Sequence, residues 1–173
     1  MIIINKRNLF FLISVWLLST LLSAQNVTIS TPHTQLLLSV PNGGTPEQLY
    51  YGSRTSDADI RSICETARRR NAYPVYGMGY PCETALSVRH ADGNLTLQMA
   101  VIGVKETRLT KENATLTVIE LKDKVYPFFV NICYKAWQDA DVIETWTEIR
   151  HEEKKPVQLQ QFASAYLPVR RGN

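Results

Sequence analysis

Phe128-Phe129-Val130-Asn131-Ile132-Cys133-Tyr134-Lys135-Ala136 is followed by Asp139-Ala140-Asp141 and then by Val142-Ile143-Glu144-Thr145-Trp146-Thr147-Glu148-Ile149-Arg150. Phe128, Val130, Ile132, Tyr134 and Ala136 occupy alternate positions, so an extended chain puts them on one face and Asn131, Cys133 and Lys135 on the other. Asp139-Ala140-Asp141 carries the polar residues of a turn, and Val142 to Arg150 returns rich in Val, Ile, Thr and Trp. Two long strands joined by a short turn make an antiparallel pair, which sets the class of the fold.

The same period of two runs outward from this pair. Upstream, Thr115-Leu116-Thr117-Val118-Ile119-Glu120-Leu121 reads as a strand after the polar break Lys111-Glu112-Asn113. Leu86 and Val88 alternate with Ser87 and Arg89. Asp92-Gly93-Asn94 then supplies a turn with the left-handed-tolerant residues that a hairpin wants, and Leu95, Leu97 and Met99 continue the alternation into Ala100-Val101-Ile102. Downstream, Glu152 to Pro156 forms a charged turn, and Val157 to Val169 is expected as a final strand. Such strands and turns predict an all-β chain, an antiparallel β-sandwich. One segment departs from it. Ile60, Ile63, Cys64 and Ala67 stand at helical spacing behind the capping pair Ser56 and Asp59, predicting one short helix near 57–70 with Arg68-Arg69-Arg70 in its last turn.

Composition sets outer limits. The 173 residues carry a formal charge of +3, are 45% hydrophobic and 20% charged, and hold 8 Gly, 8 Pro and 3 Cys. One globular domain fits that size. Collagen, low-complexity chains, disulfide-dense mini-proteins and disordered polyelectrolytes are excluded. Lys6 and Arg7 precede an apolar run from Leu9 to Leu22, and Ser23-Ala24 gives a small-residue exit, the layout of a secretory signal peptide cleaved after Ala24. The competing reading is a retained anchor, since residues 8–24 approach the length that spans ~30 Å of hydrocarbon. Cleavage of residues 1–24 leaves residues 25–173 as the domain, exported to the periplasm or the exterior, with no membrane contact of its own. It also leaves 17 basic against 16 acidic residues, which gives no reason to expect nucleic acid.

The residues that carry chemistry form no known constellation. His33, His90 and His151 show no metal-ligand spacing, and no nucleophile-elbow, zincin or phosphate-loop motif is present, so no metal, cofactor or catalytic residue is assigned. Glu144 and Glu148 share a strand face about 13.5 Å apart, too far for the roughly 5–5.5 Å of a retaining carboxylate pair. Cys64, Cys82 and Cys133 are an odd number, so at least one thiol stays outside any internal disulfide. A small thiol hydrolase using Cys133 or Cys82 stands as a minor alternative. The aromatic run Tyr73-Pro74-Val75-Tyr76-Gly77-Met78-Gly79-Tyr80-Pro81 is the one suggestive feature. Tyr73, Tyr76 and Tyr80 are carbohydrate-contact candidates, against the plainer reading of rigid turns.

That stretch also carries a resemblance. Tyr73-Pro74-Val75-Tyr76-Gly77, Ala85-Leu86 and Asp92-Gly93, then Leu121-Lys122-Asp123, Asp141-Val142-Ile143-Glu144 and Ser164-Ala165-Tyr166-Leu167-Pro168 follow in the order found in the N-terminal domain of glycoside hydrolase family 36, the α-galactosidases. The similarity covers roughly residues 47–170. It departs where family members often have Asp-Phe-Arg-x-Pro, for here Tyr80, Pro81, Cys82, Glu83 and Thr84 stand instead. The resemblance implies the front, incomplete portion of a large supersandwich that precedes a (β/α)₈ barrel. The two catalytic Asp residues of the family lie in that barrel, which would have to be supplied in cis or in trans. It also implies an α-galactoside oligosaccharide as substrate of the full-length enzyme, with a homo-oligomer as its possible assembly. The alternative from another class is a free-standing carbohydrate-binding or surface-interaction module.

Overall fold

The structure is a computed structural model that describes residues 25–168. The leader expected over residues 1–24 lies outside them. β1 (Gln25–Ser30), β2 (Thr34–Val40) and β3 (Glu47–Ser53) form an antiparallel sheet completed at one edge by the two-residue β4 (Arg70–Asn71). β2 is shut from solvent on both faces. Leu36, Leu38 and Val40 enter the main core, while Gln35, Leu37 and Ser39 are buried on the opposite face. A strand buried on both faces reads as a continuous apolar run rather than an alternation, which is how Leu36-Leu37-Leu38 reads. The segment after β3 covers the second face. Gln35 Oε1 accepts from the Thr55 backbone N–H at 2.9 Å and from the Thr55 hydroxyl at 3.1 Å.

α1 (Asp57–Thr66) follows, with Ser56 as its N-cap accepting from the Asp59 N–H at 3.3 Å. Ile60, Ile63 and Cys64 are its half-buried positions and the rest of the helix is exposed, as the helical spacing requires. The helix ends earlier than its sequence pattern implies. Ala67 turns the backbone extended at φ −65°, ψ 139°, so Arg68-Arg69-Arg70 is no helical turn. Residue 70 instead pairs with Gln48 in β4.

β5 (Leu86–Arg89) precedes a four-stranded antiparallel sheet of β6 (Met99–Leu109), β7 (Ala114–Asp123), β8 (Phe128–Trp137) and β9 (Val142–His151), adjacent in chain order. The long pair opens as expected, with Phe128 opposite His151 and Trp137 opposite Val142. Between β6 and β7, Thr110–Glu112 forms a 3₁₀ turn that Asn113 closes in the left-handed region at φ 44°. A register shift between Val101 and Gly103 leaves Ile102 outside the pairing and 55% exposed. β10 (Gln158–Phe162) returns to pair with β5.

Two expectations are corrected here. Asp92-Gly93-Asn94 does turn the chain, with Gly93 at φ 91°, but β5 and β6 do not form a hairpin, because β5 spends its pairing on β10. The final strand is also shorter than Val157 to Val169. After Phe162 the chain peels away, donating from Ala163 N–H to the Ala85 carbonyl at 2.8 Å and accepting at the Ser164 carbonyl from the Thr147 hydroxyl at 2.9 Å.

The sheets share one apolar cluster. It takes Val27 and Ile29 from β1, Leu36 and Leu38 from β2, Leu86 and Val88 from β5, Ile119 and Leu121 from β7, and Phe128, Val130, Ile132, Tyr134 and Ala136 from β8. The β8–β9 turn is fastened to the β1–β2 turn by Asp141, whose Oδ1 accepts from the Thr31 hydroxyl at 2.5 Å and from the His33 N–H at 3.0 Å. Those two bonds, the hydroxyl first, hold the Asp141 carboxyl below its ordinary value.

Truncating the fully buried Ile119 to Ala is expected to cost about 2–5 kcal/mol, whereas Ile102→Ala should stay within about 0.5 kcal/mol; urea unfolding of both variants checks the contrast. A carboxyl depressed by folding contributes stability that is present above its unfolded value of about 3.9 and is lost as pH falls through the folded value. Asp141→Asn should therefore lower the unfolding midpoint at pH 7, and its gap from the parent should close as the pH is taken below the unfolded carboxyl value. A gap that is constant with pH would show that the charge is not what holds the turn.

Candidate functional site

The aromatic run after β4 is fixed in place by β5. Val75 bridges Leu86 in parallel, Tyr76 N–H donates to the Leu86 carbonyl at 2.9 Å, and Ala85 N–H donates to the Pro74 carbonyl at 2.7 Å. Gly77 closes the segment at φ 97°, and a Cβ there would stand 2.6 Å from Thr96 Cγ2 and 2.9 Å from Thr96 Cα, so no other residue fits.

The three tyrosines do not converge on one ligand surface. Tyr73 is only 3% exposed, and its hydroxyl donates to the Ala163 carbonyl at 2.9 Å. Burial pushes that phenol up to about 12, and its ring is closed to solvent in this structure. Tyr80 is half-buried. Its hydroxyl meets that of Tyr166 at 3.1 Å and the two rings cross edge to face, 6.4 Å between centroids. That bond first, then burial, pushes Tyr166 up to about 12. Tyr76 alone presents its ring, 48% exposed, beside the exposed Met78.

The carboxylates and thiols have ordinary surroundings. Glu144 accepts from the Trp137 indole N–H at 2.9 Å, and Glu148 accepts from the Trp146 indole at 3.1 Å and from the Asn131 amide at 3.2 Å. All of these side chains lie on the outer face of the β6–β9 sheet, as the strand spacing implies. Cys133 is buried on that sheet, and desolvation, with Glu148 second, pushes its thiol up to about 11. A nucleophilic thiol needs the opposite shift. Cys82 is exposed, Cys64 is half-buried, and all three cysteines are free thiols. Among the described residues no three of His, Cys, Asp and Glu are grouped to hold a metal ion, and no helix is long and apolar enough to cross a membrane.

A buried polar cluster escapes sequence reasoning altogether. His90 Nδ1 lies 2.7 Å from Glu153 Oε1, both side chains are almost completely buried, and Glu153 Oε2 accepts from the Ala91 N–H at 3.0 Å. The His90 ring stacks on Tyr126 at 3.7 Å and meets the edge of Phe128 at 5.8 Å. The Tyr126 hydroxyl donates to Asp92 at 2.7 Å and accepts from the Asn94 amide at 2.9 Å. The cluster ties the β5–β6 turn, the β7–β8 loop and the start of the final segment together. His90 and Glu153 are 63 residues apart, and no local spacing announces such a pair.

Comparison with known proteins places this arrangement. No curated protein sequence matches the chain. Among solved structures, it is similar to the α-galactosidase of Lactobacillus brevis, at a TM-score of 0.70 and 16% identity over 82% of this chain and 23% of that one. It is similar also to the AgaA α-galactosidase of Geobacillus stearothermophilus solved with raffinose, at a TM-score of 0.71 and 15% identity over 81% and 24%. A third likeness is to the galactosidase domain of the α-galactosidase-sucrose kinase AgaSK, at a TM-score of 0.67 and 22% identity over 80% and 24%. The chain thus spans less than a quarter of the length of these solved structures. The family model described as the glycosyl hydrolase family 36 N-terminal domain matches residues 44–173, well over half of the sequence. The chain therefore belongs to the family of glycosyl hydrolase family 36 N-terminal domains.

Proposed function

We propose that the chain is the non-catalytic front portion of the β-sandwich of an exported α-galactosidase-like glycoside hydrolase, with residues 1–24 removed as a leader after Ala24. In the full-length enzyme this portion would serve as scaffold and as part of the frame of a pocket. The barrel that carries the chemistry would be supplied in cis or in trans, and terminal α-galactosides would be the substrate class. The observation that carries the reading is the family match over residues 44–173, on a chain that covers under a quarter of the solved relatives. AgaA has been solved with raffinose and with stachyose, which supports oligosaccharides ending in galactose as the class to test. A homo-oligomer is the assembly proposed for the full-length enzyme. Retaining hydrolysis needs two carboxyls roughly 5–5.5 Å apart, whereas Glu144 and Glu148 are held by separate indoles on a solvated strand face.

A second reading, a free-standing carbohydrate-binding module, is favoured by one observation: the open ring of Tyr76 beside Met78 on a loop fixed to β5.

The purified chain is expected to leave an aryl α-galactoside unhydrolysed. Turnover that persists through independent preparations, and that is lost with a substitution in this chain, would contradict the scaffold role. Titration with galactose-containing oligosaccharides separates the two readings. Saturable binding abolished by Tyr76→Ala and weakened by Tyr80→Ala favours the free-standing module, and no saturable binding favours the scaffold.

A further inference from the structure

The two tryptophans among the described residues, Trp137 and Trp146, both lie on the solvent face of the β6–β9 sheet. Neither the scaffold role nor the Tyr76 loop makes use of them. The register puts them there. Trp137 stands opposite Val142 and Trp146 opposite Cys133, in the set of β8 and β9 residues that points away from the core residues Phe128, Val130 and Ile132. Each indole N–H donates to a carboxylate of the same face, Trp137 to Glu144 and Trp146 to Glu148, which fixes where each ring sits.

A groove of about 270 Å³ opens on this face, and Glu148 joins it to Trp146. Glu148 Oε1 accepts from the indole and its Oε2 accepts from the Asn131 amide. Glu120, Asn131, Glu148 and Arg150 form the polar part of the groove wall, and Ile102 and Phe129 belong to its apolar part. Two irregularities of β6 shape it. The register shift between Val101 and Gly103 takes Ile102 out of the ladder and leaves it 55% exposed. Gly103 stands opposite Glu120, and a Cβ there would come within 2.9 Å of Glu120 Oε2, so the missing side chain leaves that carboxylate its place. Arg150 lies over the Phe129 ring at 4.1 Å and donates to Glu152, so its guanidinium is held before any ligand arrives.

The groove mixes acceptors with donors. Glu120 and Glu148 accept, whereas Asn131 and Arg150 donate. A hydroxyl does both, and neighbouring hydroxyls of a sugar ring match a carboxylate set beside an amide or a guanidinium. An anion would face two carboxylates. A cation would face Arg150 and the Lys105 ammonium that donates to Glu120. The volume is on the scale of one sugar ring rather than of a drug-sized ligand. Trp146 precedes Glu148 by two residues, ~6.8 Å along the strand, which sets an amphipathic indole where a second ring would lie.

We propose that the outer face of the β6–β9 sheet binds a neutral oligosaccharide, one hexose hydrogen-bonded in the groove by Glu120, Asn131, Glu148 and Arg150 and the next packed on Trp146. The site uses no residue of the Tyr76 loop. Sugar held here is compatible with the scaffold role, whose own test is turnover.

An NMR titration of the full chain at constant ionic strength tests it, with stachyose, maltotetraose and trigalacturonate as separate probes. Stachyose should cause saturable shifts at the Trp146 indole N–H, the Asn131 side-chain amide and Ile102, and these should persist in Tyr76→Ala. Glu148→Gln keeps an acceptor for the indole and the amide, so the strand should fold normally while binding weakens about tenfold. Trp146→Ala should weaken binding by a similar factor, and trigalacturonate should bind at least about tenfold more weakly than stachyose. The choice of stachyose rests on the α-galactosidase reading, whereas the site does not. The same shifts with maltotetraose and none with stachyose would uphold the site and count against galactosides as the substrate class. The proposal is overturned by the absence of saturable shifts with both neutral sugars, by shifts confined to the Tyr76 loop, by trigalacturonate binding as tightly as stachyose, or by binding that survives Trp146→Ala and Glu148→Gln. A dimer in sedimentation that Trp146→Ala dissociates would assign this face to a second copy of the chain and would equally overturn it.

Discussion

Burial of one face of β8 is the constraint on which the other strands depend. Phe128, Val130, Ile132, Tyr134 and Ala136 all sit in the shared core; each faces a fixed partner on β9, and all but Phe128 also face one on β7. A slip of one residue on either side would send Lys135 and Asn131 inward and the apolar set into water. Polar anchors then fix both ends of the strand. Near Phe128, the His90–Glu153 pair and the stacked Tyr126 gather three connecting segments. Beyond Trp137, Asp141 binds the β1–β2 turn, and Gln138 Nε2 donates to the Ser30 carbonyl at 3.0 Å. A buried hydrogen-bonded pair adds little net stability over an apolar equivalent, yet loss of one partner leaves the other polar group buried and unsatisfied. Its effect here is positional, because it determines where the chain travels after β9.

The legible part of this fold is the part with one wet face. β7, β8 and β9 alternate because their outer side chains meet solvent, so period two survives in the sequence. β2 does not alternate, because Gln35, Leu37 and Ser39 are covered by the segment that carries α1. Its burial is a property of tertiary packing, and no window of sequence contains that covering segment and the strand together. The stripe of Ile60, Ile63 and Cys64 gave the helix. Its end was hidden, since three consecutive arginines suit a helix terminus as well as an extended segment, and pairing of residue 70 with Gln48 decided between them.

The site was legible as chemistry and illegible as geometry. Three tyrosines in eight residues are conspicuous, but an extended segment sends them apart: Tyr73 to the Ala163 carbonyl, Tyr80 to Tyr166, and Tyr76 to the surface. The arginine run behaves in the opposite way. Its alternation brings Arg68 and Arg70 to one cavity and sends Arg69 to another partner.

The chain proposed as the front of a larger glycoside hydrolase differs from a self-sufficient module in what is encoded beside it. The nucleotide sequence beyond the codon for Asn173 separates the two. A reading frame, continuous or interrupted, that encodes further strands and then a (β/α)₈ barrel with two acidic catalytic residues is the expected result. A locus with no barrel-coding frame on either side would contradict it.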